Sequence, residues 1–237
     1  MNQKINIDEI KNKLLDKLEL SGWKTILKSF IESSDFDKII GQLVKLTNDG
    51  KRFTPPLKDI FKAFEECPYD KLKIIIVSQD PYPSFGIADG IAFSCSKTND
   101  IQPNLKFILE EINKTVYNNQ IISKDPDLKR WSNQGVLLLN TALTTTIGKS
   151  GQHYNIWKPF IAYLFDHLTW CNNRLVYLYL GKIAKEWSDC VNDNNHKFFL
   201  THPATAAYNS DLNWDSKNLF KEIETIINKN YKENLIW

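Results

Sequence analysis

Asp80 and Tyr82 follow directly on the apolar run Ile74-Ile75-Ile76-Val77 and its short polar extension Ser78-Gln79, with Pro81 and Pro83 bracketing the tyrosine. Pro81 biases Asp80 away from helical dihedrals, and prolines on both sides limit the excursions of the Tyr82 ring. A stiff loop therefore presents one acid and one phenol. Three other apolar runs break off in the same way: residues 135–139 end on Asn140, residues 174–180 on Gly181, and residues 197–201 on His202 before Pro203. A carboxylate, a carboxamide and an imidazole at the ends of separate runs supply a base, a two-way hydrogen-bonding edge and a donor that titrates near neutrality.

The runs themselves specify how those groups are positioned. Unbroken β-branched and leucine-rich segments predict strands buried on both faces, as in parallel sheets. Between them lie segments of helical spacing, 104–117, 157–169, 182–191 and 214–228, so strands alternate with helices long enough for right-handed crossovers. The expectation is an α/β chain with a central four-stranded parallel sheet flanked by helices, its polar strand ends gathered on one edge, where ligands collect in open sheets of this kind. Residues 1–52 are mostly helical in pattern, with Ile7, Ile10, Leu14, Leu15 and Leu18 and then Trp23, Ile26, Leu27 and Phe30 at three-to-four spacing, and are expected to pack on that core. Thr54-Pro55-Pro56 closes this region.

The 237 residues contain no Gly/Ser linker, repeat or low-complexity tract, which predicts a single domain. A net charge of only +2 permits nucleic-acid binding without arguing for it, so any basic surface must be local. The four cysteines, Cys67, Cys95, Cys171 and Cys190, are scattered without a Cys-x-x-Cys pair, and the four histidines form no helical pair, so no metal site or cofactor is expected. Isolated cysteines are expected as small buried hydrophobes in a reducing compartment. Neither a signal-peptide core nor a membrane-spanning stretch is evident, and the expectation is a soluble intracellular protein.

Four pieces, in order, carry a resemblance to a known family: Gln79-Asp80-Pro81-Tyr82, the nine residues 86–94 from Gly86 through Phe93 to Ser94, the ten residues 131–140 from Trp131 to Asn140, and Thr201-His202-Pro203. The chain resembles a family 1 uracil-DNA glycosylase from about Trp23 to its end. The resemblance implies a base-excision enzyme that hydrolyses uracil from DNA without a cofactor, in the cytoplasm or nucleus or, for a viral protein, in the host cell. It implies monomeric action on uracil-containing DNA, and a proteinaceous glycosylase inhibitor as a further partner.

Cleaving a base from deoxyribose passes through an oxocarbenium-like sugar and an anionic leaving group, so an anion is needed beside the sugar and donors beside the base. The resemblance implies that Asp80 positions the attacking water and stabilises the sugar cation. His202, as neutral imidazole, would donate to uracil O2, with main-chain N–H groups around Gln79 adding to that contact. Asn140 would read uracil N3–H and O4, a pattern that cytosine reverses. Tyr82 would stand against C5, where thymine carries a methyl, and Phe93 would stack on the base, a contact on the general scale of about 1–3 kcal/mol.

The base lies inside a duplex stack and must be extruded, and here the chain departs from its family. The usual Ser-Pro-Leu-Ser after His-Pro, with its wedging leucine and phosphate-pinching serines, is Ala204-Thr205-Ala206-Ala207. These residues and Tyr208 form the expected DNA-binding loop, with Tyr208 a candidate substitute wedge and single-stranded DNA a relatively better substrate. Gln102-Pro103-Asn104 stands where a serine contacts phosphate, Ser78 replaces the glycine before Gln79, and Pro83 replaces a histidine. Asp-Pro-Tyr-Pro and His-Pro-Ala are similar to the poxviral branch, whose member also serves polymerase processivity. That likeness implies an alternative: a glycosylase-fold DNA-binding or replication module with polymerase-associated partners and weak or no catalysis.

Overall fold

Four short apolar strands assemble the centre of the molecule. In the computed structural model, which describes residues 6–98, 100–120, 124–171, 173–208 and 214–237 and only the backbone of residues 171, 207 and 208, these are β2 (Ile74–Ser78), β3 (Val136–Asn140), β5 (Val176–Leu180) and β6 (His196–Leu200). They pair in the order β3-β2-β5-β6, every pair parallel. Every residue of β2, β3 and β5 is buried, as their unbroken apolar runs require, whereas β6 lies at the edge and leaves Phe199 43% exposed. The four-stranded parallel sheet flanked by helices is thus the architecture that the alternation of strands and helices predicts.

The helices are α1 (Ile7–Lys17), α2 (Trp23–Ile31), α3 (Ser34–Asn48), α4 (Lys62–Glu66), α5 (Pro103–Thr115), α6 (Lys129–Ser132), α7 (Tyr154–Cys171), α8 (Lys182–Lys185), α9 (Ala204–Tyr208) and α10 (Leu219–Tyr231). Side chains start two of them: Asn6 accepts from the Asp8 and Glu9 N–H groups of α1, and Ser33 from the Phe36 N–H of α3. Aromatic edges bind the N-terminal layer to the rest, for Phe160 of α7 lies with its ring centre 5.4 Å from Phe30, 5.2 Å from Phe61 and 5.7 Å from Phe64.

Three elements differ from expectation. The helix read over 182–191 breaks after α8: a separate 3₁₀ turn spans Ser188–Cys190, while Trp187 packs on Phe165 at 5.6 Å. The helix read from 214 starts only at Leu219, because the buried Glu111 carboxylate accepts from the Ser216 N–H at 2.9 Å and hydroxyl at 2.7 Å, pinning that segment outside any helix. The third is a two-stranded antiparallel ribbon, β1 (Phe53–Thr54) with β4 (Thr145–Thr146), too short for any periodicity to disclose. Cys190 is exposed, not a buried hydrophobe, while Cys67 and Cys95 are buried.

Phe160 is fully buried between the layers. Phe160→Ala is therefore expected to cost about 3–5 kcal/mol, the general range for removing a buried aromatic, read as a lowered urea midpoint with little change in slope. A loss below about 1 kcal/mol would mean that the layer packs independently of this ring.

Candidate active site

Each strand delivers one component at its carboxyl end. Parallel pairing sets Ser78, the last residue of β2, beside Asn140, the last of β3. Gly181 directly follows β5, and His202 lies two residues beyond β6. These ends open on a cavity of about 620 Å³ whose walls include Ser78, Gln79, Asp80, Tyr82, Phe93, Asn140, Ser150 and His202, with Gln102, Pro103, Asn104, Ala204 and Thr205 at its side.

The Asp80 carboxylate is held by a residue far along the chain: the Gly151 N–H donates to Oδ2 at 2.7 Å. Burial raises its pKa above the ordinary aspartate value, opposed by the Gly151 N–H and by the Thr145 and Gln79 side chains. His153 places the Gly151 turn. Its ring lies 2.8 Å from Thr144 Oγ1 through Nδ1 and 3.1 Å from Thr146 Oγ1 through Nε2, and Trp157 of α7 donates to the same Thr144 hydroxyl at 2.7 Å. The ribbon β1/β4 thus buttresses the acid. Gln79 is fixed through its carbonyl, which accepts from the Thr141 hydroxyl at 2.9 Å and the Ala142 N–H at 3.0 Å.

His202 has a defined tautomer. The Ala204 N–H donates to Nδ1 at 3.1 Å, so Nδ1 is an acceptor and the ring proton sits on Nε2, facing Ser78 Oγ at 3.4 Å. Burial lowers its pKa to about 4, which keeps the imidazole neutral at physiological pH. The ring packs against Gly181, where a Cβ would come within 3.0 Å of the His202 Cβ at a glycine already at φ +96°.

Phe93 occupies the left-handed region at φ 65°, uncommon for a bulky residue and informative where it persists. Asp89 holds it there. This buried carboxylate accepts from the Ile91 N–H at 3.1 Å, the Ser94 hydroxyl at 2.6 Å, and the Ser96 N–H and hydroxyl at 3.1 and 2.7 Å. Tyr82 completes the clasp by donating its hydroxyl to the Phe93 carbonyl at 3.2 Å, and the Phe93 ring centre lies 5.8 Å from that of His202. Asn140 is 6% exposed, and its carboxamide makes no hydrogen bond with another described residue, leaving an acceptor and two donors for a ligand.

Sequence reasoning reached Asp80, Gln79, Tyr82, Phe93, Asn140 and His202, and the structure brings these six together. The supporting residues were not singled out: Gly151, His153 and Thr145 carry no local signature, and Asp89 lies within the 86–94 segment, where only the Asp89-Gly90 pair offers a turn signal. The segment 204–208 is the short helix α9. Ala204 is half-buried and Thr205 exposed, whereas Ala206 is turned inward and only 6% exposed, joining the hydrophobic core. The Ala206 side chain, expected at DNA, is thus turned into the core. The side chains of Ala207 and Tyr208, both expected at DNA, lie outside the described residues. Ala206→Leu is accordingly expected to overpack the core, lowering stability by about 1–3 kcal/mol, and not to install a wedge. A thermal melt checks this, and an unchanged or raised midpoint would show that the leucine finds open space.

Three comparisons bear on this pocket. A family model described as the uracil DNA glycosylase superfamily matches residues 64–226. The uracil-DNA glycosylases of Campylobacter hominis and Borreliella burgdorferi are 35% and 34% identical over 193 and 199 residues, spanning 81% and 82% of this chain and 81% and 87% of their own. The crystal structure of mimivirus uracil-DNA glycosylase shares the fold with a TM-score of 0.81 over 99% of this chain and 90% of its own, at 24% identity. With the family model covering residues that include Asp80, Asn140 and His202, the chain belongs to the uracil-DNA glycosylase family, as a divergent member of it.

Proposed function

We propose that the cavity at the strand ends is where this chain hydrolyses the N-glycosidic bond of deoxyuridine in DNA, releasing uracil and leaving an abasic site. The observation that carries the reading is the juxtaposition in one cavity of a buried carboxylate, an imidazole whose proton sits on Nε2, and a buried carboxamide with no partner among the described residues. The C1′–N1 bond breaks with its electron pair leaving on uracil. Water held by Asp80 adds its oxygen to C1′ and gives up a proton, which the uracil anion finally takes. The Asp80 charge lies beside the cationic sugar, and His202 donates from Nε2 to O2 as negative charge gathers there. A neutral donor suits this role, because it stabilises the anion without surrendering its proton.

Asn140 and Tyr82 act as the base filters, the first by its hydrogen-bonding edge and the second by filling the space at C5 while its hydroxyl stays anchored to Phe93. The proposal extends to action as a monomer and to a proteinaceous inhibitor that blocks the cavity, checked by loss of excision when such an inhibitor is added. Incubation with a uracil-containing oligonucleotide followed by alkaline cleavage tests the whole reading. Scission at uracil supports it, while binding without scission favours a replication-associated DNA-binding role.

Asp80→Asn is expected to slow single-turnover excision by about 10²–10⁴-fold, the range for a positioned acid or base, with uracil-DNA binding largely retained. A wild-type rate would remove Asp80 from the reaction. The wild-type rate should fall with acidity through an Asp80 pKa above the ordinary 3.8, while His202 stays neutral down to about pH 4. The depressed His202 pKa has a stability consequence of fixed sign. Below pH 6.5 the unfolded chain binds a proton that the folded chain refuses, so this residue's contribution is lost as pH falls from 6.5 towards about 4. An NMR titration of the His202 ring checks the midpoint, and one at or above 6.5 would contradict the neutral donor.

The filters predict altered selectivity. Asn140→Asp should admit some cytosine excision and Tyr82→Ala some thymine excision, both with lower overall rates on matched oligonucleotides. Retained uracil activity with neither new base removed would show that selection lies elsewhere.

A further inference from the structure

We propose that the Ser78 hydroxyl is a further catalytic group of this pocket, a second side-chain donor that shares uracil O2 with His202. The inference rests on the uracil-excision reading and deepens it. Ser78 is 2% exposed, yet it forms part of the cavity wall. Its place is set by the sheet: residues in register on neighbouring parallel strands project to the same face, so Ser78 on β2 points to the side that Asn140 takes on β3. Its backbone is fixed, because its carbonyl accepts from the Thr141 N–H at 3.0 Å.

The tautomer of His202 decides what the hydroxyl can do. Since Nδ1 accepts from the Ala204 N–H, Nε2 carries hydrogen and cannot accept one, so at 3.4 Å Ser78 Oγ is the acceptor of that contact. Its own hydrogen has no acceptor among the described residues, and the space left to it is the cavity. The 3.4 Å separation lies beyond the usual 2.9–3.0 Å of an N–H to oxygen bond, so the imidazole N–H is only loosely held in the empty site. A carbonyl oxygen entering between the two receives both hydrogens. As the C1′–N1 bond breaks and charge builds on O2, both donors shorten their bonds to it and keep their protons. Where the family carries glycine, this chain thus holds an additional hydroxyl.

The test is single-turnover excision with saturating enzyme by the wild type, Ser78→Ala and Ser78→Gly, and by Ser78→Ala in a His202→Ala background. Loss of one oxyanion donor elsewhere costs about 10²–10³-fold. For a shared donor we expect a fall of about tenfold or more in both single variants, uracil-DNA affinity little changed, and a similar further fall when Ser78→Ala is added to His202→Ala. Wild-type rates in both single variants would overturn the proposal. A fall that disappears when His202 is already absent would also overturn it, since the hydroxyl would then only position the imidazole. A second readout does not need turnover: with free uracil bound, the C2 carbonyl stretch should move to higher frequency in Ser78→Ala than in the wild type, and an unmoved band counts against the contact. Failure of the wild type itself to excise uracil would instead overturn the function reading, which keeps the two failures apart.

Discussion

Parallel pairing of β2 with β3, in the register that sets Ile74 beside Val136 and Ser78 beside Asn140, is the constraint on which the pocket depends. Side chains alternate faces along a strand, so a slip of one residue would turn Asn140 away from the cavity and bring Leu139 into it. Every residue of both strands is enclosed, and bonds past the strand ends help hold the register. Beyond the ladder, the Thr141 N–H bonds the Ser78 carbonyl, and the Thr141 hydroxyl and Ala142 N–H bond that of Gln79. Asp80 therefore leaves the sheet in one direction. The carboxylate is then met by Gly151, whose turn is fixed by a separate set of bonds around His153.

Burial pushes the two principal ionisable groups of the pocket towards their uncharged forms, and each is met by a different amount of compensation. Burial raises the Asp80 pKa, and the Gly151 N–H with the Thr145 and Gln79 side chains partly offsets that rise. Among the described residues no opposing charge acts on His202, so burial lowers its pKa and the imidazole stays neutral. One environment thus compensates the carboxyl while leaving the imidazole a neutral donor beside it. Electrostatic complementarity to a cationic sugar and an anionic base needs a carboxylate and a neutral donor.

The strand ends were legible in the sequence because burial on both faces leaves an unbroken apolar run, and such a run makes its terminal polar residue conspicuous. Asp80 and Asn140 stood out for that reason, whereas His202 follows the partly exposed edge strand β6 and stood out through Thr201-His202-Pro203. The residues that hold the site were not legible, since each acts through long-range contact: Gly151 reaches Asp80 across 71 positions, and His202 meets Ser78 across 124. Asp89 stood inside the 86–94 segment with no role assigned to it, although its carboxylate gathers four donors and keeps Phe93 in a conformation that its own side chain disfavours. The late start of α10 has the same origin, for Glu111 and Ser216 are 105 positions apart. Local propensity cannot report such pairs.

Ala206 shows what position in the chain alone leaves open. Its place in the chain corresponds to a projecting leucine, but α9 turns this side chain into the core, and the neighbouring Thr205 hydroxyl bonds back to the His202 carbonyl at 2.8 Å. The same helix supplies the Ala204 N–H that fixes the His202 tautomer. Its first turn is therefore committed to holding His202, and small residues suit that task because they let the backbone approach the imidazole closely. The imidazole is thus oriented by a main-chain N–H, which a change of side chain at Ala204 leaves in place so long as the first turn of α9 is kept.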